Sequence, residues 1–194
     1  MLKFAVSALV LAASMLLTLG AETNRPANWA AALKEEGLSN FHKVSDRLYR
    51  SAQPSAAGMT RLKDLGIKTV VNLRSFHSDR KKLGKLGLGY EHIYMKAWHP
   101  EEKEIIRFLR LVRDESKGPI LVHCQHGADR TGTMCAVYRV AVQGWTKEDA
   151  LKEMTEGGYN FHGIWRNLIT WFNKLDIEKV RKAAGIQPPK DKVR

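Results

Sequence analysis

The chain is predicted to fold as a single α/β domain with a mostly parallel central sheet flanked by helices. Segments of strand type alternate with segments of helix type, which is the pattern of β-α-β units and of parallel sheets. An apolar run at residues 119–122 leads through a short loop into a helix-type run at residues 131–142. Once a leader at residues 1–21 is set aside, about 170 residues remain, which is the length of one domain.

The first 21 residues have the composition of a secretory signal peptide. Lys3 supplies a positive charge ahead of an apolar run at residues 4–19, and the small residues Gly20 and Ala21 follow it. The run of about 16 apolar residues is shorter than the roughly 20 that cross a bilayer. This favours cleavage near Ala21 over a retained anchor. We therefore expect an exported, periplasmic protein with no stable membrane anchor.

Residues 22–43 are polar and loosely patterned, and we interpret them as an N-terminal extension that contains a short helix at residues 29–34. The folded domain is expected to span residues 44–182. A basic tail at residues 183–194 is predicted to be disordered, because its charged and proline-containing composition offers little to bury.

The domain begins with a β-α-β unit. A strand is predicted at residues 44–50, and an apolar helical face then follows until Gly66 ends the helix. The second strand lies in a β-branched run at residues 67–73, where apolar side chains alternate. A basic, polar connection at residues 74–85 leads to the next strand.

The remaining elements continue the alternation. Pro100 suits the first position of a helix, and the hydroxyl of Thr146 can cap another. In order, the pattern predicts a strand at 90–95, a helix at 100–112, the strand at 119–122, the helix at 131–142, a helix from Thr146 and a last helix at 163–175.

The loop after the 119–122 strand has the composition of a phosphate-binding loop with a nucleophile. The backbone N–H groups of such a loop and the positive end of the next helix converge on an anion. Cys124 opens the loop, so the same field favours its thiolate form. Arg130 closes the loop with a planar guanidinium suited to two phosphate oxygens, and Thr131 adds a hydroxyl. The other expected phosphate contacts are Gln125, His126, Gly127, Ala128 and Asp129.

The order His-Cys, five residues, Arg-Thr at positions 123–131 resembles the signature of the cysteine-dependent tyrosine and dual-specificity phosphatases. Residues 44–158 are similar to the bacterial exported members. The resemblance implies a dual-specificity phosphatase-like fold, so that the predicted domain would be a phosphatase domain. It also implies hydrolysis through a phosphocysteine intermediate without a cofactor. Cys124 would be the nucleophile, Arg130 would bind phosphate and Thr131 would ease departure of the thiolate.

The general acid is the point at which the chain departs from the family pattern. Members usually carry an aspartate on a mobile loop after the strand at 90–95, but residues 96–102 contain none. Three alternatives stay open: Asp129 in the phosphate loop, one of Glu101 and Glu102, or no dedicated acid. We favour Asp129, because an Asp-Arg-Thr order also occurs in some tyrosine and lipid phosphatases. The glutamates would equally suit a helix start, where carboxylates stabilise the dipole.

Composition and charge limit the classes of partner that the chain is expected to bind. A net charge of +12 favours anionic partners, and a phosphorylated protein substrate is the first expectation, with other phosphate esters as a wider class. No nucleic-acid motif is present, so no nucleic acid is expected. The spacing of His, Asp and Cys residues shows no metal-ligand pattern, so no metal is expected either. Cys135 lies in an apolar helical run and is interpreted as structural, with redox pairing to Cys124 as the alternative.

The sequence therefore predicts a cysteine-dependent phosphatase that acts on phosphotyrosine, with phosphoserine and phosphothreonine as a wider range. A phosphoinositide or inositol-polyphosphate phosphatase is the first alternative. The basic segment 80–85 favours it. The neutral Ala128 disfavours it, because lipid-acting relatives often have lysine at this position. A catalytically silent phosphate-binding module is the second, favoured by the missing loop aspartate.

Overall fold

A six-stranded sheet forms the centre of the fold. The computed structural model describes residues 25–188 of the chain. The strand order is β1-β2-β3-β6-β4-β5. Strands β3, β6, β4 and β5 run parallel, and β1 and β2 are added antiparallel at one edge. The predicted α/β domain with a mostly parallel sheet is confirmed. The strands are β1 (Ala31–Ala32), β2 (His42–Lys43), β3 (Leu48–Ser51), β4 (Thr69–Asn72), β5 (Gly89–His92) and β6 (Ile120–His123).

Seven helices cover the two faces of the sheet within the described residues. Helices α1 and α2 pack with one core, and α3 to α7 pack with a second, larger core. Short 3-10 turns precede β6 and α6. The helices are α1 (Ala56–Asp64), α2 (Arg80–Leu83), α3 (Glu102–Arg113), α4 (Asp129–Ala141), α5 (Lys147–Glu156), α6 (Arg166–Lys174) and α7 (Ile177–Ala184).

The central strands are apolar on both sides, which explains why both faces of the sheet are covered. In β6, Ile120 and Val122 belong to the larger core, whereas Leu121 belongs to the core under α1 and α2. Strand β4 divides in the same way, with Val71 on one side and Val70 on the other. Successive strand residues point to opposite faces, so packing from both sides fixes the carboxyl ends of these strands.

The N-terminal part of the structure differs from its prediction. The strand predicted at residues 44–50 begins only at Leu48, where β3 starts. A turn precedes it, in which the carbonyl of Leu48 accepts hydrogen bonds from the N–H groups of Val44 and Ser45, and β2 lies before that turn. The helix predicted at 29–34 is wrong, since β1 occupies this segment. Residues of the expected N-terminal extension thus complete one edge of the sheet.

The C-terminal part also differs. The helix predicted at 163–175 is a 3-10 turn, Gly163–Trp165, followed by α6. Helix α7 was not predicted, although Asp176 caps it by accepting from the N–H of Lys179. The predicted leader at residues 1–21 and the last six residues of the predicted tail lie outside the described residues. None of the helices within residues 25–188 has the length and apolar character that crossing a membrane requires.

A buried ion pair joins three parts of the larger core. Arg139 of α4 donates to both carboxylate oxygens of Glu153 in α5, each at 2.6 Å. The carboxylate also accepts from the backbone N–H of Ala30 at 2.6 Å and from the hydroxyl of Tyr159 at 3.2 Å. Both charged side chains are almost fully buried. The N-terminal segment and the segment after α5 are therefore attached to the same carboxylate.

We expect Glu153→Ala to destabilise the fold by about 3–5 kcal/mol, because it leaves the buried guanidinium of Arg139 without a counter-charge. Urea unfolding followed by circular dichroism measures this change. Asp46→Ala is the matched control, since it removes an ion pair with Lys43 in which the aspartate is 94% exposed. The two variants should differ clearly in unfolding midpoint, and equal midpoints would contradict the role given to the buried pair.

Candidate active site

The loop of Cys124 leaves the sheet at the carboxyl end of its central strand. The register places His123 level with Ser51 of β3 and Asn72 of β4. Cys124 follows directly and is 1% exposed, and helix α4 begins at Asp129. Cys124 is thus buried at the end of the central strand, next to two neighbouring strand ends and ahead of the N-terminus of α4. In parallel sheets this edge is where ligands bind.

The carbonyl groups of residues 124–127 are all satisfied by donors outside the loop. The donors are the His123 ring to Cys124 at 3.1 Å, the backbone N–H of Gln53 to Gln125 at 3.0 Å, the Asn40 amide to His126 at 2.9 Å and the Arg50 guanidinium to Gly127 at 2.7 Å. Each carbonyl points away from the N–H of the next residue across the same peptide plane. Four consecutive N–H groups thus point away from these donors, and none of them has a backbone acceptor within residues 25–188, as an anion cradle requires.

The turn at Gly127 depends on the absence of a side chain. Its φ is +71°, and a Cβ there would lie 2.5 Å from the carbonyl carbon and oxygen of Ser51. Below it, the guanidinium of Arg50 is buried against the ring of Tyr159, with 3.5 Å between the guanidinium carbon and the ring centroid. Arg50 thus supports the loop from beneath with a buried positive charge.

The ring of His123 lies between two acceptors. Its Nδ1 faces the carbonyl of Cys124, and its Nε2 lies 2.8 Å from a carboxylate oxygen of Asp79. Both ring nitrogens therefore face an oxygen acceptor, one on the loop backbone and one on Asp79. Burial opposes the charge of Asp79, but hydrogen bonds from His123 and Gln53 outweigh it and keep the pKa of this carboxyl below its ordinary value.

Arg74 is a second cation at the loop that the sequence analysis did not single out. It follows β4 and donates to the side-chain oxygen of Gln53 at 3.0 Å and to that of Gln125 at 3.4 Å. Partial burial and the positive charge of Arg130 lower the pKa of Arg74. Its position at the carboxyl end of a parallel strand was the one sequence feature that could have indicated it.

Asp129 is held by a histidine from a distant part of the chain. Its carboxylate accepts from the backbone N–H of His162 at 2.8 Å and lies 2.9 Å from the ring Nδ1 of the same residue. Asp129 is almost fully buried at the start of α4, whereas the ring of His162 is partly exposed. The structure therefore places the favoured acid candidate in the loop but directs its carboxylate toward His162.

Glu101 and Glu102, the other candidates for the acid, have structural partners. Glu101 lies 2.6 Å from Lys103, and this hydrogen bond lowers the pKa of its carboxyl. Glu102 lies 2.7 Å from Lys179. Glu104, one turn into α3, accepts from the backbone N–H of Glu101, and burial raises the pKa of Glu104 to about 7. These contacts account for the carboxylates as parts of a helix start.

Two further residues of α4 lie below the loop. The hydroxyl of Thr131 is buried and has no hydrogen-bond partner within residues 25–188. Cys135 is buried one turn further along as a free thiol, and burial raises its pKa to about 11. Its position agrees with the structural interpretation.

Three side chains at the rim of the loop could hold a metal ion. One ligand atom from each of His126, Asp129 and His162 lies within 4.8 Å of the other two. The sequence spacing predicted no metal site, because His162 is 33 residues from Asp129 and only the fold brings them together.

We expect Gly127→Ala to weaken binding of inorganic phosphate about tenfold or more, measured by isothermal titration calorimetry. The added Cβ would displace the loop from Ser51 and break the charged hydrogen bond from Arg50, a contact worth about 1.5–3 kcal/mol. Gly66→Ala is the control, since Gly66 also has a positive φ of +77° but a Cβ added there would meet no atom within 4 Å. Equal affinities in the two variants would contradict the steric argument.

Comparisons with known proteins identify relatives of the chain. Residues 22–166 match the family described as DSP-PTPase phosphatase fused to NAD+ kinase. Dual specificity protein phosphatase TpbA of Pseudomonas aeruginosa is 36% identical over 164 residues, which cover 84% of this chain and 75% of the relative. Inositol diphosphatase DSP3 of Arabidopsis thaliana is 29% identical over 157 residues, which cover 74% of this chain and 73% of the relative.

Solved structures agree with these matches. A crystal structure of P. aeruginosa TpbA has a TM-score of 0.73 and 34% identity, covering 82% of this chain and 98% of that chain. A crystal structure of a TpbA variant in complex with pTyr has a TM-score of 0.74 and 34% identity, and the match covers 83% of this chain and 98% of that chain.

Proposed function

The chain belongs to the dual-specificity tyrosine phosphatase family, and on that basis we propose that it hydrolyses phosphate monoesters on proteins, phosphotyrosine above all, through a phosphocysteine intermediate. The observation that carries the proposal is the loop of residues 124–130, in which a buried cysteine lies beneath four N–H groups freed by outward carbonyls. The composition of residues 1–21 supports the periplasm as the compartment.

The first step forms the phosphocysteine. The loop N–H groups and the guanidinium of Arg130 hold the phosphate oxygens, and they stabilise the charge that spreads over them in the transition state. The thiolate of Cys124 attacks phosphorus, so that a P–S bond forms as the P–O bond to the leaving group breaks. The leaving oxygen takes a proton from Asp129, whose carboxylate His162 holds in place.

The second step returns the enzyme to its starting state. A water molecule attacks phosphorus, gives a proton back to Asp129 and displaces the thiolate of Cys124 as inorganic phosphate forms. The hydroxyl of Thr131 has no other hydrogen-bond partner within the described residues, so it is available to donate to the departing sulfur.

Exposed apolar side chains at the same edge of the sheet support a phosphotyrosine substrate. Phe76 follows β4, Trp98 follows β5 and Ile164 follows His162, and all three are strongly exposed. Loops after parallel strands emerge at the edge where the phosphate loop lies. Apolar groups around a polar site suit an aromatic phosphoester on a protein surface. The TpbA relative crystallised with pTyr agrees with this choice.

Arg74 favours a second candidate, an inositol-polyphosphate phosphatase. A second guanidinium beside the loop, together with the basic helix α2, could neutralise phosphates other than the one being cleaved. The likeness to Inositol diphosphatase DSP3 supports this class. Comparing kcat/KM for a phosphotyrosine peptide and for inositol hexakisphosphate decides between them. A higher value for the inositol ester, lost in Arg74→Gln, would favour the second candidate.

We expect Cys124→Ser to abolish hydrolysis of p-nitrophenyl phosphate while inorganic phosphate still binds, because the cradle and Arg130 remain. Arg130→Ala should lose both hydrolysis and phosphate binding, since it removes the bidentate contact of the guanidinium with phosphate. Turnover is followed by p-nitrophenolate release and binding by calorimetry. Appreciable turnover in purified Cys124→Ser would refute the covalent step, and absence of turnover in the unmodified chain would favour a silent phosphate-binding module.

We expect Asp129→Asn to slow phenyl phosphate about 10²–10⁴-fold and p-nitrophenyl phosphate far less, because a basic leaving group needs the proton more. Glu101→Gln and Glu102→Gln serve as matched controls and should retain the rates of the unmodified chain. Rates on both esters measure the effect. If a glutamate variant shows the leaving-group-dependent loss instead, the acid lies on the loop at residues 96–102.

A further inference from the structure

We propose that His126, Asp129 and His162 form a binding site for a divalent transition-metal ion such as Zn²⁺, and that a bound ion inhibits hydrolysis. The ion-binding part stands on the geometry alone. The inhibitory part rests on the proposed function, because it requires a phosphatase reaction to inhibit.

The geometry of Asp129 and His162 already matches that of two ligands of one ion. Metal–nitrogen and metal–oxygen bonds to zinc are about 2.0–2.2 Å, so two ligands at right-angled to tetrahedral positions lie about 2.8–3.6 Å apart. The distances from Nδ1 of His162 to the two carboxylate oxygens of Asp129 are 2.9 and 3.1 Å. An ion can therefore replace the hydrogen bond between these groups with little movement of either.

The third ligand, His126, stands beside the pair. The rings of His126 and His162 have centroids 5.1 Å apart, and a nitrogen of His126 lies within 4.8 Å of the other two ligand atoms. The ring of His126 is exposed, so a small rotation can bring its nitrogen to the ion. The backbone of His126 is fixed by the hydrogen bond from Asn40, so the ring pivots from a fixed point.

The carboxylate of the site is oriented independently of the ion. The backbone N–H of His162 donates to Oδ1 of Asp129 at 2.8 Å, which leaves Oδ2 directed toward the rings. Such outer hydrogen bonds on ligating groups raise metal affinity. Two imidazoles and one carboxylate are ligands that Zn²⁺ and its neighbours prefer, whereas Mg²⁺ and Ca²⁺ prefer oxygen ligands.

Occupation of the site would stop hydrolysis for two reasons. The carboxylate of Asp129 would be committed to the ion and unavailable to the leaving group. His126, a loop residue, would be joined to His162 across the rim, which narrows the entrance for a phosphoester. Removal of the ion by a chelator reverses both effects.

The binding test uses the Cys124→Ser chain, which removes the thiolate of Cys124 as a ligand and leaves only the buried thiol of Cys135. Titration with Zn²⁺ in calorimetry should give one ion per chain. His126→Gln and His162→Gln should each weaken binding by about 100-fold or more, because even the loss of an outer partner of a ligand costs 10–100-fold. His77→Gln is the control, since His77 is an exposed histidine outside the cluster. Equal Zn²⁺ affinity in all three histidine variants would overturn the site.

Two further measurements use the unmodified cysteine. Co²⁺ should give visible bands without a thiolate-to-cobalt charge-transfer band, and that band would place the ion on Cys124 instead. Zn²⁺ should inhibit p-nitrophenyl phosphate hydrolysis reversibly, and His162→Gln should raise the inhibitory concentration about 100-fold relative to its own metal-free rate. Unchanged inhibition in His162→Gln would overturn the regulatory part. If the unmodified chain lacks turnover, the proposed function fails, while the calorimetric result still decides the ion site.

Discussion

The need to satisfy the outward carbonyls of the phosphate loop is the constraint on which the rest of the structure depends. A loop that turns four N–H groups toward an anion must turn four carbonyls into the protein, where an unpaired carbonyl is costly. The four donors come from separate places: Asn40 between β1 and β2, Arg50 in β3, Gln53 beyond it, and His123 of β6. The short antiparallel edge, the strand register and the buried guanidinium are all ways of bringing these donors to one loop.

The donors are in turn fixed by contacts further from the loop. The amide of Asn40 also donates to the carbonyl of Tyr159 at 3.0 Å, and the ring of Tyr159 covers the guanidinium of Arg50. The hydroxyl of Tyr159 donates to Glu153, and Glu153 accepts from Arg139 of α4. Helix α4 follows the loop directly, so these contacts lead back to it. Loop, helix and N-terminal segment thus form a closed ring of contacts. Such a ring fixes the shape of the loop without a ligand, as transition-state stabilisation by preorganised dipoles requires.

The sequence predicted the fold class, and it indicated the proposed nucleophile loop, because both depend on contiguous residues. The 119–122 run, the loop and the next helix follow one another directly, and the cap of α5 at Thr146 has a local cause. The helix start predicted at Pro100 is wrong, because α3 begins at Glu102 and is capped by Glu101. The supporting contacts were not predictable in this way. Asn40 is 86 residues from His126, Asp79 is 44 from His123, and His162 is 33 from Asp129. No local pattern marks such pairs, since each residue is ordinary in its own segment. The antiparallel edge was missed for a related reason: two-residue strands are too short to show an alternation.

The burial of Cys135 has a consequence for the chemistry of the other thiol. A disulfide or sulfenic acid is resolved by attack of a thiolate, and burial keeps Cys135 in the thiol form at any physiological pH, with a pKa of about 11. The sequence contains two cysteines in all. An oxidised Cys124 therefore has no resolving partner on its own chain, and its rescue depends on a thiol from outside. Without one, further oxidation carries the sulfur to sulfinic and sulfonic acids, which are irreversible. Recovery of an oxidised Cys124 would thus depend on external reductants rather than on Cys135.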